Sequence, residues 1–142
     1  MDESTLLLSQ LQHNEAMIIN LAKNVNDELL DYKPTPRAMS IRQHFVHLTE
    51  CHLACEEYMR GDDHKWGSYI AQNSDFKAIY EEYLTTRNLA IRLLLSSESH
   101  KALAMLSDLV ALHEPYHIGQ MSLNRQGFDS SWDSESIYCG LE

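Results

Sequence analysis

The chain is short of cysteine, glycine and proline, and it has no long apolar run. Its 142 residues include 5 Gly and 3 Pro while 44% are apolar, which is typical of a compact, mostly helical domain and not of a disordered chain. Its 3 cysteines cannot all pair, so a disulfide framework is not expected, and reduced thiols in a cytoplasmic protein are the simpler interpretation. No stretch reaches the length of a membrane span.

Basic residues are also scarce. The sequence has 11 Lys and Arg against 21 Asp and Glu, for a formal net charge of −10, and no local cluster of basic residues. An acidic surface repels phosphate backbones and anionic lipid heads, so nucleic-acid and membrane binding are not expected. The first residues, MDESTLLLSQ, begin acidic and lack the apolar stretch of a signal peptide.

Apolar residues recur at helical spacing, which predicts an all-α fold in a single domain over residues 1–142. The second helix has a strong start signal, since Ser40 followed by Gln43 is a partial capping box. The four expected helices run from about Ser4 to Val25, from Ser40 to just before Gly61, from Ser74 or Asp75 through Leu94, and from about Lys101 to Arg125 with a stop at Gly127.

The connection from Gly61 to Ser74 is polar, aperiodic and long for a turn between helices. A connection of this length allows the second and third helices to run parallel. We therefore predict a four-helix bundle with a long crossover between helices 2 and 3.

Two histidines of the fourth helix lie where the core should be. His113 and His117 are four residues apart in LHEPYHIGQM, so they project from one helical face, and apolar residues continue that face in both directions. Buried imidazoles are costly without partners, and a divalent metal is a partner that suits them. A third ligand is expected from a facing helix. Spacing alone does not choose among the candidates there, which are His44, His47 and His52.

The segments SIRQHFVHL and HEPYHIGQM together resemble motifs of the DinB-like (YfiT-like) superfamily of small helical metalloproteins, over nearly the whole chain. The resemblance places the third ligand at His47, in register with Ser40, and matches His113, His117 and the following Gly119 and Gln120. It implies a four-helix bundle with a divalent metal, zinc or nickel, held by His47, His113 and His117. His44 is then the expected supporting residue or substitute ligand.

The resemblance also implies what the metal does, although fold analogy alone does not establish it. Known activities in the family include thiol-dependent transferases and isomerases acting on small molecules with a low-molecular-weight thiol, and a homodimer is common. A three-histidine site with an open position also suits a hydrolase. The alternative is a non-catalytic, metal-stabilised bundle that binds a ligand or partner.

Three further residues leave questions open. HEPYH also fits the H-E-x-x-H protease pattern, but the sequence shows no sheet, and Glu114 is expected in solvent. Pro115 removes a backbone hydrogen bond to the carbonyl of Ala111 and is expected to kink the helix between two ligands. Arg87 either binds a substrate carboxylate or pairs with a buried glutamate. His13, His64 and His100 are expected to be solvated.

Overall fold

The computed structural model describes residues 1–141, and over that range the secondary structure is entirely helical. The all-α fold class is thus confirmed. Within the same range no helix is both long and apolar enough to cross a membrane. The elements are α1 (Glu3–Ala22), α2 (Asp27–Asp31), α3 (Ile41–Met59), α4 (Phe76–Ser96), α5 (His100–Leu106), a π-helical turn (Ser107–Ala111), α6 (His113–Phe128) and a 3-10 helix (Ser134–Tyr138).

The start of α3 is fixed by a full capping box, as the sequence predicts. The Ser40 hydroxyl accepts from the backbone N–H of Gln43, and the Gln43 side chain accepts from the backbone N–H of Ser40 at 2.9 Å. Asp75 caps α4 in the same way, by accepting from the backbone N–H of Ala78. These caps satisfy donors that a helix start leaves free. The Ser40 cap fixes where α3, the helix that carries His47, begins.

The predicted fourth helix is interrupted, which corrects the expectation of a continuous helix. The chain turns through the π-helical segment Ser107–Ala111 and starts a new helix at His113. Pro115 is therefore the third residue of α6, in the first helical turn, where proline is tolerated. The orphaned carbonyl of Ala111 accepts instead from Asn14 Nδ2 at 2.8 Å. The irregular turn therefore precedes the first expected ligand, and α6 is continuous from His113 through His117, where the kink was expected.

Two smaller differences from the predicted helices remain. The segment between the first two predicted helices contains a further short helix, α2, capped by Asn26. Gly127 does not stop the last helix, which continues to Phe128. A Cβ at Gly127 would lie 2.9 Å from Tyr32 Oη, so glycine leaves room for the close approach of that phenol ring.

The buried side chains form two apolar clusters separated by polar residues. The Phe45 core contains Met17, Ile18, Leu21, Leu29, Leu30, Ile41, Phe45, Leu48, Ile79, Tyr83, Ile118, Met121 and Ile137. The Leu106 core contains Leu7, Leu11, Cys55, Ala90, Leu94, Ala102, Leu106, Val110 and Ala111. Buried polar residues of α1, α3, α4 and α6 lie between these two sets along the chain, and we call one from each helix the polar layer: Asn14, His52, Arg87 and Glu114.

Candidate metal centre

Three imidazoles from two helices converge beside the polar layer. His47 lies on α3, while His113 and His117 lie on the first turns of α6, and one ring nitrogen from each lies within 4.8 Å of the others. The Nε2 atoms of His113 and His117 are 2.9 Å apart. The predicted proximity of these three residues is thereby confirmed.

The donor set fits a borderline divalent ion. Two nitrogens bound to one zinc, each at about 2.1 Å, can be at most about 4.2 Å apart. The spacing of the three histidines, within 4.8 Å, therefore requires only small side-chain movements. Three imidazoles are ligands that zinc and nickel both accept.

Burial keeps the three imidazoles neutral. It lowers the pKa of His117 to about 3, with neighbouring histidines adding to the effect. Burial also lowers the pKa values of His47 and His113. A metal binds the neutral imidazole, so these histidines do not have to lose a proton at neutral pH before they bind one.

His44 supports the cluster from α3. It is buried, and its Nδ1 lies 2.7 Å from Nδ1 of His117. That contact occupies Nδ1 of His117 and leaves its Nε2 facing His113. Hydrogen bonding at one ring nitrogen fixes which nitrogen is available to a metal. The contact is the one expected of a supporting residue, which is one of the two roles predicted for His44.

Cys51 is a neighbour of the cluster that sequence reasoning did not single out. Its Sγ lies 3.8 Å from Nε2 of His47 and 3.5 Å from Nδ1 of His113. Burial raises the pKa of this thiol to about 12, so it is protonated. The signal in the sequence is its place one turn after His47.

Glu114 is completely buried, which corrects the expectation that it is solvated. Its Oε1 accepts from Arg87 Nε at 2.6 Å and from the Tyr83 hydroxyl at 2.7 Å. Its Oε2 accepts from Arg87 Nη2 at 3.2 Å and from Asn14 Nδ2 at 3.1 Å. The choice left open for Arg87 is thereby decided in favour of a buried glutamate. With its oxygens engaged in this way, Glu114 is a structural residue and not the base of a protease site.

The Glu114 network holds the helix start that carries His113. Asn14 links the buried carboxylate to the backbone before α6, since its amide donates both to Glu114 and to the carbonyl of Ala111.

The long connection between α3 and α4 is fastened next to the site. Glu50, one turn after His47, accepts from His64 Nε2 at 2.9 Å and from the backbone N–H of Gly67 at 2.7 Å. His64 also contacts Glu57, and its side chain is only 3% exposed, so the expectation of a solvated His64 was wrong. Burial alone would lower the pKa of His64, but the hydrogen bonds to Glu50 and Glu57 outweigh it and raise the pKa.

The remaining histidines stay outside the cluster. His52 belongs to the polar layer, where its Nδ1 lies 2.9 Å from Thr86 Oγ1. His13 and His100 are exposed, as expected.

Two clefts adjoin the three histidines. The α3 cleft, about 760 Å³, lies between α3 and the connection to α4 and is bordered by His47 and Glu50. The α6 cleft has a similar volume of about 760 Å³ and reaches His44 and His117. Both volumes are within the range of small-molecule sites.

Comparison with known proteins does not extend these observations. No family model matches the chain, and neither curated proteins nor solved structures give a significant match. The resemblance to the DinB-like superfamily accordingly rests on the two motifs and stays a proposal.

Proposed function

We propose that this protein is a metal-dependent enzyme of small organic molecules in which His47, His113 and His117 bind one zinc or nickel ion. The observation that carries the proposal is the convergence of three imidazoles from two helices within 4.8 Å. An isolated buried histidine is commonly satisfied by one hydrogen bond. Three together, with a fourth histidine bonded behind them, are the donor set of a metal site.

A divalent ion held there would supply a Lewis acid that lowers the pKa of a bound water or thiol. The chain contributes neutral ligands, the orienting contact from His44, and clefts that bring small molecules to His47 and His117. We place thiol-dependent transfer or isomerisation, with a low-molecular-weight thiol as second substrate, ahead of hydrolysis. The motif resemblance favours that order.

The second candidate function is a non-catalytic, metal-stabilised bundle. It is favoured by one observation, the Cys51 thiol at 3.5 Å from Nδ1 of His113. A thiol so close could move to become a fourth protein ligand, and four protein ligands are typical of a structural zinc site. Zinc-edge X-ray absorption on the loaded protein separates the two, since a sulfur ligand supports the structural role and a nitrogen and oxygen shell supports the enzyme.

The finer architecture is part of the same proposal. Along α1, residues of the Leu106 core precede those of the Phe45 core, whereas along α3 and along α4 the order is reversed. This order supports a four-helix bundle in which α3 and α4 run parallel, with residues 60–75 as the crossover. Membership of the DinB-like superfamily, a homodimer, a cytoplasmic location and the absence of nucleic-acid and membrane partners are also proposals.

Elemental analysis of protein purified without an affinity tag tests the metal site. We expect close to one equivalent of zinc or nickel in the wild type and strong losses in His47→Ala, His113→Ala and His117→Ala. His13→Ala is the matched control, because His13 is an exposed histidine on α1. A well-folded wild type with metal below about a tenth of an equivalent contradicts the proposal.

Activity is tested with cysteine as the probe thiol and a fluorogenic bimane as the electrophile. The proposal predicts faster conjugation by the zinc-loaded protein than by the chelated protein, with the difference lost in His117→Ala. Metal-dependent hydrolysis of a nitrophenyl ester without thiol conjugation would instead favour the hydrolase. If neither reaction depends on the metal, the enzyme proposal is not supported.

A further inference from the structure

The α6 cleft has the form of a ligand site. It lies between the segment 34–39 and the outer face of α6, and its volume is about 760 Å³. His44 and His117 border it, so a molecule in the cleft is next to the histidine cluster. Its apolar lining includes Met39, Tyr116 and Leu123, and the last two are more than 60% exposed. Such a lining suits an apolar organic group.

The charge in this cleft is unusual for the chain. Acidic residues outnumber basic ones by 21 to 11, yet no Asp or Glu lines the α6 cleft, and Arg37 is the only Lys or Arg there. Arg37 is exposed, and the ion pairs found within residues 1–141 do not include it. The guanidinium is therefore free to bind an anion.

The α3 cleft differs in this respect. Its arginine, Arg42, pairs with Asp31 at 2.7 Å and also donates to the carbonyl of Ser74. Its acid, Glu50, is engaged by His64 and Gly67. The charges of the α3 cleft are thus used within the protein, and the α6 cleft is the one with a positive charge to offer a ligand.

The segment that carries Arg37 is held at its two ends. Asn124 Nδ2 donates to the carbonyl of Met39 at 2.9 Å and to that of Tyr32 at 3.3 Å. One buried amide of α6 therefore fastens the backbone on both sides of Arg37 to the helix that forms the opposite wall. A wall fastened in this way needs little reorganisation when a ligand binds.

We infer that the α6 cleft binds a small organic anion, with its carboxylate at Arg37, its apolar body against Tyr116 and Leu123, and its other end towards His117. A guanidinium is well suited to recognise a carboxylate, through paired N–H donors. The inference names the substrate class of the histidine site, so the role of the anion as a substrate at His117 rests on the proposed function. The binding of the anion itself requires no metal.

The test uses a matched pair of probes, 3-phenylpropionate and its neutral amide, and the full-length chain. Affinities are measured by calorimetry or chemical-shift titration on chelated and on zinc-loaded protein. We expect the chelated wild type to prefer the carboxylate, by about two- to fivefold for an exposed ion pair. Arg37→Gln removes the preference, while Arg37→Lys retains part of it. Arg92→Gln, which removes an exposed arginine of α4 outside the cleft, keeps the preference.

Each outcome separates this inference from the metal proposal. A carboxylate preference that depends on Arg37 in chelated protein supports the inference even if the chain takes up no metal. Equal binding of the two probes, or a preference that survives Arg37→Gln, overturns it, even if the chain binds a full equivalent of zinc. Circular dichroism of each variant shows that a lost preference is not lost folding.

Discussion

At the scale of single residues, the contact between His44 and His117 makes a sharp prediction. His44→Ala removes the group 2.7 Å from Nδ1 of His117 and leaves the three proposed ligands in place. Loss of such a supporting contact typically weakens metal binding about 10- to 100-fold, and we expect a loss in that range. Competition with a chromophoric zinc chelator measures it, with His13→Ala as control. An unchanged affinity would show that His44 only fills space.

His52 predicts the pH dependence of stability. Burial, with a smaller contribution from Arg87, lowers its pKa to about 3, whereas an unfolded histidine titrates near 6.5. The contribution of neutral His52 to the free energy of unfolding is therefore complete above about pH 6.5. It is lost as the pH falls towards the folded-state pKa, because the unfolded state then binds a proton that the folded state does not. In chelated protein, we expect this residue to account for a fall of about 2 kcal/mol in unfolding free energy between pH 7 and pH 5.

The variant His52→Gln isolates this effect, because it removes the titrating group and keeps a side chain able to bond Thr86. Urea unfolding at the two pH values should give a smaller pH-dependent loss for the variant than for the wild type. Other buried histidines contribute to both proteins and cancel in the difference. The same loss in both would mean that His52 is not buried as a neutral ring.

Residues of the candidate site were predictable from the sequence where the pattern that identifies them lies within one helix. His113 and His117 share a helical face, and that periodicity is visible in the chain. The place of His47 required the motif resemblance, since spacing did not separate it from His44. Glu114 was misplaced because its burial depends on Arg87 of another helix. A helical wheel shows which side a residue faces but not what charge it meets there.

At the scale of elements, the break before α6 is stabilised by Asn14. Asn14→Ala leaves the buried carbonyl of Ala111 without its donor and removes one donor to Glu114. An unsatisfied buried acceptor costs about 1–3 kcal/mol, and we expect a destabilisation of that size by urea unfolding. Pro115→Ala should change stability by less than about 1 kcal/mol, because the carbonyl of Ala111 that the new N–H would face already accepts from Asn14. A gain of about 3 kcal/mol would instead place Pro115 in a helix interior.

Element boundaries were predictable where local chemistry sets them. Ser40 and Gln43 start α3, and Asp75 starts α4, through bonds within four residues. The π-helical turn could not be predicted in this way. Pro115 indicated that a carbonyl would lose its partner, but the replacement comes from α1, far away in the sequence. A proline thus predicts that a helical hydrogen bond is missing, but not which residue supplies the replacement donor.

At the scale of the whole molecule, the polar layer divides the core. Four residues on four helices meet between the Phe45 core and the Leu106 core, and the histidine cluster lies beside them. Buried polar groups whose partners lie at fixed places on other helices are a poor source of stability, but they penalise any helix that slides along its neighbours. The layer therefore favours one register of the helices, which is the register that brings His47 to His113 and His117.

Because the three proposed ligands lie on α3 and α6, a bound ion joins two helices that only the folded chain brings together. Zinc should therefore stabilise the native state, by about 2.7 kcal/mol at a free concentration 100 times the dissociation constant. The measurement is the urea midpoint of chelated and zinc-loaded protein. The midpoint should rise in the wild type and stay fixed in His47→Ala, whose histidine is only half-buried, so that its removal disturbs the core less than removal of the buried His117 would. Equal shifts in both proteins would mean that zinc binds elsewhere, and no shift in the wild type would mean that the folded chain does not hold the ion.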